Sequence, residues 1–215
     1  MKYQIRQGVF ETNSSSTHSL QITTNSLEEV TNTIHNRISK IYNRDTFDVD
    51  DYMDKWQKTL NLTGLDVESG DEETCIYYIL KNWMAKLQYL VSYIWAYRDD
   101  IPGYAFSEHQ DFRTPEHYKV ESVKSTEIYK ILEELALEVA NKNGYDINQV
   151  NFDPSETIYT DGDLGWAEEF NDGSILKKPE HFKEMITPML FDDNVIICYM
   201  DEAYHPYKSP KIYVY

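Results

Sequence analysis

The most apolar stretch of the chain, residues 75–97, constrains the fold most, because a globular protein must cover such a stretch with other elements. Its apolar residues recur at spacings of three and four, and the capping box Ser69-Gly-Asp-Glu72 precedes them. The pattern predicts one central helix over 72–97, roughly 39 Å long at 1.5 Å per residue. Polar interruptions at Lys81, Asn82, Lys86 and Gln88 make a membrane span unexpected.

Other helices are predicted by local signals at their ends. Ser26-Leu-Glu-Glu29 is a second capping box, and helical spacing of apolar residues follows it and also covers 50–60. A helix over 126–142 ends at Gly144, and Pro179 begins a short helix to Met185 that Pro188 disturbs.

Strands are predicted over 2–10, 19–24, 195–199 and 211–215, and alternation with tight turns predicts a β-meander from 155 to 173. The chain is therefore expected to form a single α+β domain over 1–215. A mainly antiparallel sheet would pack against the long central helix and several shorter helices. Residues 99–122 show little periodicity and are expected to be a connection, so an arrangement of two lobes divided near 100–122 is the alternative.

Charge limits the partners of this chain. It has 37 acidic and 20 basic residues, a net charge of −17, and residues 108–215 hold 22 of the acids but only 10 of the bases. Such a surface repels nucleic acid and anionic lipid and attracts basic proteins. We therefore expect a basic protein partner, no direct nucleic-acid binding and no membrane binding. Carboxylates mixed with aromatic rings in the second half are the candidate partner-binding residues: Asp161, Asp163, Trp166, Glu168, Glu169, Asp172, Tyr204 and Tyr207.

The N-terminal segment Glu11–Ser19 combines a carboxylate, an amide, hydroxyls and an imidazole, and Arg6 lies in the predicted strand before it. One interpretation is a pocket wall for phosphate or another polar ligand, or a hydrolytic site with His18 as the base of a serine. The other is a turn whose side chains satisfy their own backbone. The candidate ligand-binding residues are Arg6, Glu11, Asn13, Ser14, Ser15, Ser16, His18 and Ser19.

The residues RQGVFETNSSSTHSL, over positions 6–20, resemble the opening of a group of uncharacterised proteins from Firmicutes and their phages. That group begins with a basic strand followed by GVFETNSSS-x-HS. The resemblance implies a phage or prophage origin and directs attention to the same N-terminal residues and to Gly8. It implies no activity, cofactor or fold.

Motifs for other chemistry are weak in this sequence. No phosphate-binding glycine loop is present, and Asp161-Gly-Asp163 fails as a calcium loop because Trp166 stands where glycine is needed. In Asp201-Glu202-x-x-His205 the ligand spacing would need a helix, which Pro206 disfavours. Cys75 and Cys198 are expected to be small buried hydrophobes. We expect no metal or cofactor and a cytoplasmic location.

Two hypotheses of function follow from these patterns. In the first, a phage-type accessory protein binds a basic host or defence protein through its acidic, tyrosine-rich second half. In the second, an enzyme or small-ligand-binding protein uses the N-terminal Glu/Asn/Ser/His segment. The first is favoured because charge extends over the whole chain, and whether the chain is an enzyme stays open.

Overall fold

A computed structural model of the chain describes residues 16–23, 25–42, 48–51, 61–63, 76–105, 116–145, 151–153, 173–203 and 211–214. Helices hold more of these residues than strands do. The α-helices are α1 (Leu27–Tyr42), α2 (Trp83–Ala96), α3 (Glu116–Ser125), α4 (Glu127–Lys142) and α5 (Pro179–Phe191). The strands are β1 (Ser16–Thr23), β2 (Asp48–Asp51), β3 (Asn61–Thr63), β4 (Ile76–Leu80), β5 (Asn151–Asp153), β6 (Ile196–Ala203) and β7 (Lys211–Val214). Two 3-10 helices cover Arg98–Asp100 and Ser174–Lys177. The prediction of an α+β fold is confirmed.

Five of the strands form one sheet in the order β1-β6-β4-β7-β2. β6 pairs antiparallel with β1 and with β4, whereas β7 pairs parallel with β4 and with β2. The sheet is therefore mixed rather than mainly antiparallel, since the long segments between β4, β2 and β7 permit parallel crossovers. The short strands β3 and β5 pair parallel in a second sheet.

The main sheet has a core on each face. Tyr78, Leu80 and Ile197 belong to the larger apolar cluster, which also contains buried residues of α2, α4 and α5. Ile79 and Cys198 belong to a smaller cluster with residues of α1. Because neighbouring residues of a strand point to opposite faces, β4 is covered on both sides. Tyr78, Ile79 and Leu80 are each 0% exposed.

The prediction of one helix over 72–97 is wrong. Residues 76–80 form β4, and α2 begins only at Trp83, after the Asn82 side chain accepts a hydrogen bond of 2.8 Å from the Met84 amide. A central strand buried on both faces needs a continuous apolar run, and such a run also satisfies helical spacing. The asparagine, a favoured N-cap residue, marks the change from strand to helix.

The predicted connection over 99–122 contains a helix, because α3 spans Glu116–Ser125. Among its residues with described side chains, 118–125, the buried ones are Ser122 and Val123, and the Ser122 hydroxyl accepts a hydrogen bond of 2.9 Å from the Ala105 amide. A short helix whose buried positions include serine has little apolar periodicity, so the sequence pattern does not reveal it.

Pro188 does not end α5, which continues beyond the expected end at Met185 to Phe191. The proline removes one backbone donor, but the helix closes with a bond of 3.1 Å from the Asp192 amide to the Pro188 carbonyl. Two other predicted ends are confirmed. Pro179 is the first residue of α5, and Gly144 follows α4 with a φ of 74°.

The remaining predictions fall partly or wholly outside the described residues. The helix expected over 50–60 is contradicted where it begins, since residues 50 and 51 lie in β2, and its other positions are outside these residues. The strand over 2–10 and the meander from 155 are also outside them, apart from Gly173. The strands expected at 19–24, 195–199 and 211–215 are confirmed as β1, β6 and β7.

The capping box of α1 gives a first testable prediction. The Ser26 amide donates to the Glu29 carboxylate over 2.9 Å, and the Glu29 amide donates to the Ser26 hydroxyl over 3.2 Å. Ser26→Ala is expected to lower the free energy of unfolding by about 1 kcal/mol, measured by urea denaturation. Thr33→Ala is the control, because it removes an exposed hydroxyl of the same helix that donates to the Glu29 carbonyl. Equal losses in both variants would contradict the cap.

Candidate functional site

The N-terminal candidate residues lie only partly within the described structure. Ser16, His18 and Ser19 are in β1, where the backbone register places His18 opposite Asp201 of β6. Arg6, Glu11, Asn13, Ser14 and Ser15 are outside the described residues. The pocket expected from this segment therefore stays a prediction.

The candidate partner-binding residues are also outside the described ranges: Asp161, Asp163, Trp166, Glu168, Glu169, Asp172, Tyr204 and Tyr207. Most of them belong to residues 154–172, which contain six acidic residues and no lysine or arginine. The structure does describe other acidic residues of the second half. Eight of these are exposed: Glu121, Glu127, Glu134, Glu138, Glu180, Glu184, Asp192 and Asp193.

Acidic side chains of α3 and α4 act electrostatically on the same buried tyrosine. Tyr129 is 3% exposed, and its pKa is raised to about 12 by burial and then by the negative charges of Glu133 and Glu121. The two carboxylates therefore act on the same phenol from different helices. Tyr118, one turn before Glu121, is 54% exposed. An exposed aromatic ring beside carboxylates is suited to bind an arginine or lysine side chain.

Lysines neutralise this acidic surface only in part. The Lys124 ammonium lies 2.9 Å from a Glu121 oxygen, and the Lys183 ammonium lies 3.8 Å from a Glu134 oxygen. The side chains of Glu121 and Glu134 remain 67% and 70% exposed. Ion pairs this open to water contribute little to stability and leave the carboxylates accessible to a stronger partner.

Lys86, in the first turn of α2, is 1% exposed. Its ammonium donates a hydrogen bond of 3.3 Å to the Asp192 carbonyl at the end of α5. Burial lowers its pKa to about 8, although the nearby Asp193 and Asp192 carboxylates act in the opposite direction and Lys81 lowers it further. A cation at the C-terminal end of a helix satisfies carbonyls that lack partners there, so the Lys86 hydrogen bond joins α2 to the end of α5 and partly offsets the cost of burying the ammonium.

Cys198 is 1% exposed in β6, which confirms the expectation of a small buried hydrophobe. Burial raises its thiol pKa from 9.0 to about 12, so at neutral pH much less of this thiol is the reactive thiolate than in a free cysteine. Cys75 lies outside the described residues.

The thiol gives a second prediction. In a Cys75→Ser variant, Cys198 is expected to resist a thiol-labelling reagent in native buffer and to react fully in urea. The measurement is labelled mass against time, and Cys198→Ser reports the reactivity of Cys75 for comparison. If Cys198 in native buffer is labelled as fast as a free thiol, the thiol is accessible to solvent and the burial of this part of β6 is contradicted.

A metal centre has no support among the described side chains, which contain no group of three or more histidine, cysteine or acidic residues placed to hold an ion. Asp201 and Glu202 lie in strand β6, so the helical spacing required for Asp201-Glu202-x-x-His205 is not formed there. In the same described part of the chain, no helix is long and apolar enough to cross a membrane.

Sequence reasoning missed two structurally important residues. The sequence pattern presents Lys86 only as an interruption of an apolar stripe, and its burial depends on a carbonyl 106 residues away. Arg98 was not singled out, yet it is 7% exposed, donates to the Trp95 carbonyl over 2.7 Å and stacks 4.5 Å from the centroid of the Trp95 ring. The local signal for Lys86 is weak: it lies four residues after the N-cap residue Asn82 and therefore in the first turn of α2.

Comparison with protein families, with curated proteins and with solved structures gave no match to this chain.

Proposed function

We propose that the chain is a phage- or prophage-type acidic accessory protein that binds a basic host or defence protein through its acidic, tyrosine-rich second half. The observation that carries this proposal is the exposure of carboxylates on α3, α4, α5 and the turn after α5, which their lysine neighbours neutralise only in part. A charged surface of this kind accelerates association with a basic partner and gives it a strong salt dependence.

The acidic tract 154–172, which has six acidic residues and no lysine or arginine, is the proposed centre of the interface, and the exposed carboxylates of α3 and α4 are proposed as a second contact surface. Tyr118 supports a contact at α3 because tyrosine supplies rigid contact area at low entropic cost and is enriched at interfaces. The phage or prophage origin rests on the resemblance of residues 6–20.

The experiment measures binding of a fluorescent arginine-rich peptide by anisotropy. Affinity is expected to fall about tenfold or more between about 0.15 M and about 1 M salt, because the Debye length shortens from about 8 Å to about 3 Å. Unchanged affinity would overturn the electrostatic proposal. Proteins retained from a host lysate at the lower salt concentration, and released at the higher one, then identify the natural partner by mass spectrometry.

A matched pair of variants tests where the partner binds. The first carries Asp161→Asn, Asp163→Asn, Glu168→Gln and Glu169→Gln; the control carries Glu121→Gln, Glu127→Gln, Glu134→Gln and Glu138→Gln. Both remove four negative charges, but only the first changes the proposed centre. The first variant is expected to lose more affinity for the retained partner. Equal losses would mean that overall charge, and not this tract, determines binding.

A further inference from the structure

We draw no further inference here: the strongest candidate, the outer edge of strand β1 at one end of the five-stranded sheet, carries none because nothing among the described residues shows what covers it.

Discussion

Replacement of Gly173 with alanine is expected to lower the free energy of unfolding by about 3 kcal/mol. Gly173 has a φ of 71°, a left-handed conformation that costs other residues about 1–2 kcal/mol. An added Cβ would also lie 2.7 Å from Cδ1 of Tyr97 and 2.8 Å from Oδ2 of Asp100. Relief of such overlap typically costs about 1–3 kcal/mol more. Urea denaturation of the two proteins measures the difference.

Gly144→Ala separates the two causes of this loss. Gly144 has a nearly equal φ of 74°, but its added Cβ would meet nothing within 4 Å. This control is therefore expected to lose only the backbone contribution, about 1 kcal/mol. If both variants lose the same stability, the close approach of Gly173 to Tyr97 and Asp100 does not exist in solution. The salt bridge of 2.9 Å between Lys177 and Asp100 joins the two 3-10 helices, Ser174–Lys177 and Arg98–Asp100. Because the Cβ added at Gly173 would displace Asp100, we expect Gly173→Ala to break this salt bridge and Gly144→Ala to leave it intact.

Lys86→Met is expected to raise the free energy of unfolding by about 2 kcal/mol at pH 7. Burial lowers the Lys86 pKa from 10.5 to about 8, and about 1.4 kcal/mol per pKa unit makes the charged form costly by about 3 kcal/mol in the folded state. Methionine fills a similar volume without a charge. The lost hydrogen bond to the Asp192 carbonyl offsets about 1 kcal/mol of the gain.

The advantage of Lys86→Met depends on pH in a defined direction. Between about pH 8 and pH 10.5 the unfolded lysine keeps a proton that the folded lysine has released. The unfolded state then binds more protons, so the contribution of Lys86 to stability rises with pH across this window. The difference between variant and wild type should therefore be greatest below pH 8 and shrink above it. Cys198 and Tyr129, whose raised pKa values lower stability at alkaline pH, are present in both proteins and cancel.

Lys142→Met provides the matched control for this measurement. Lys142 is exposed and donates over 2.9 Å to the Phe191 carbonyl, the neighbour of the carbonyl bound by Lys86. Its replacement removes a comparable hydrogen bond from the same helix end without relieving a buried charge. A small loss of stability, about 0.5–1 kcal/mol, is expected. A loss of similar size in Lys86→Met would mean that the buried ammonium is not costly.

The sequence predicted three helices from local chemical signals at their ends, although a similar signal, Ser69-Gly-Asp-Glu72, precedes the strand β4 and not a helix. Ser26 and Glu29 cap α1, Gly144 terminates α4 and Pro179 begins α5, because each effect depends on atoms within one helical turn. The strand β4 could not be separated from α2 in this way. An apolar run of five residues fits either structure, and only pairing with β6 and β7, distant in sequence, decides between them.

The exposure of acidic residues on α4 was also predictable from the sequence. The excess of acid in the second half follows from composition, and the described residues Glu134 and Glu138 are exposed as their helical positions require. The joint effect of Glu121 and Glu133 on the pKa of Tyr129 was not predictable, because the sequence pattern indicates a connection where α3 lies. A contact between two helices cannot be inferred when one of the helices is not recognised.

The central position of β4 has a consequence for synthesis of the chain. Its partners, β6 and β7, emerge from the ribosome on the order of 100 residues later, which corresponds to roughly 5–20 s at ordinary elongation rates. During that interval the strand Ile76–Leu80 lacks both of its neighbouring strands. Its side chains are two tyrosines and three aliphatic residues, so an apolar segment is left with unpaired backbone groups. A chain interrupted before residue 195 would keep this segment unpaired, which makes premature termination a route to aggregation.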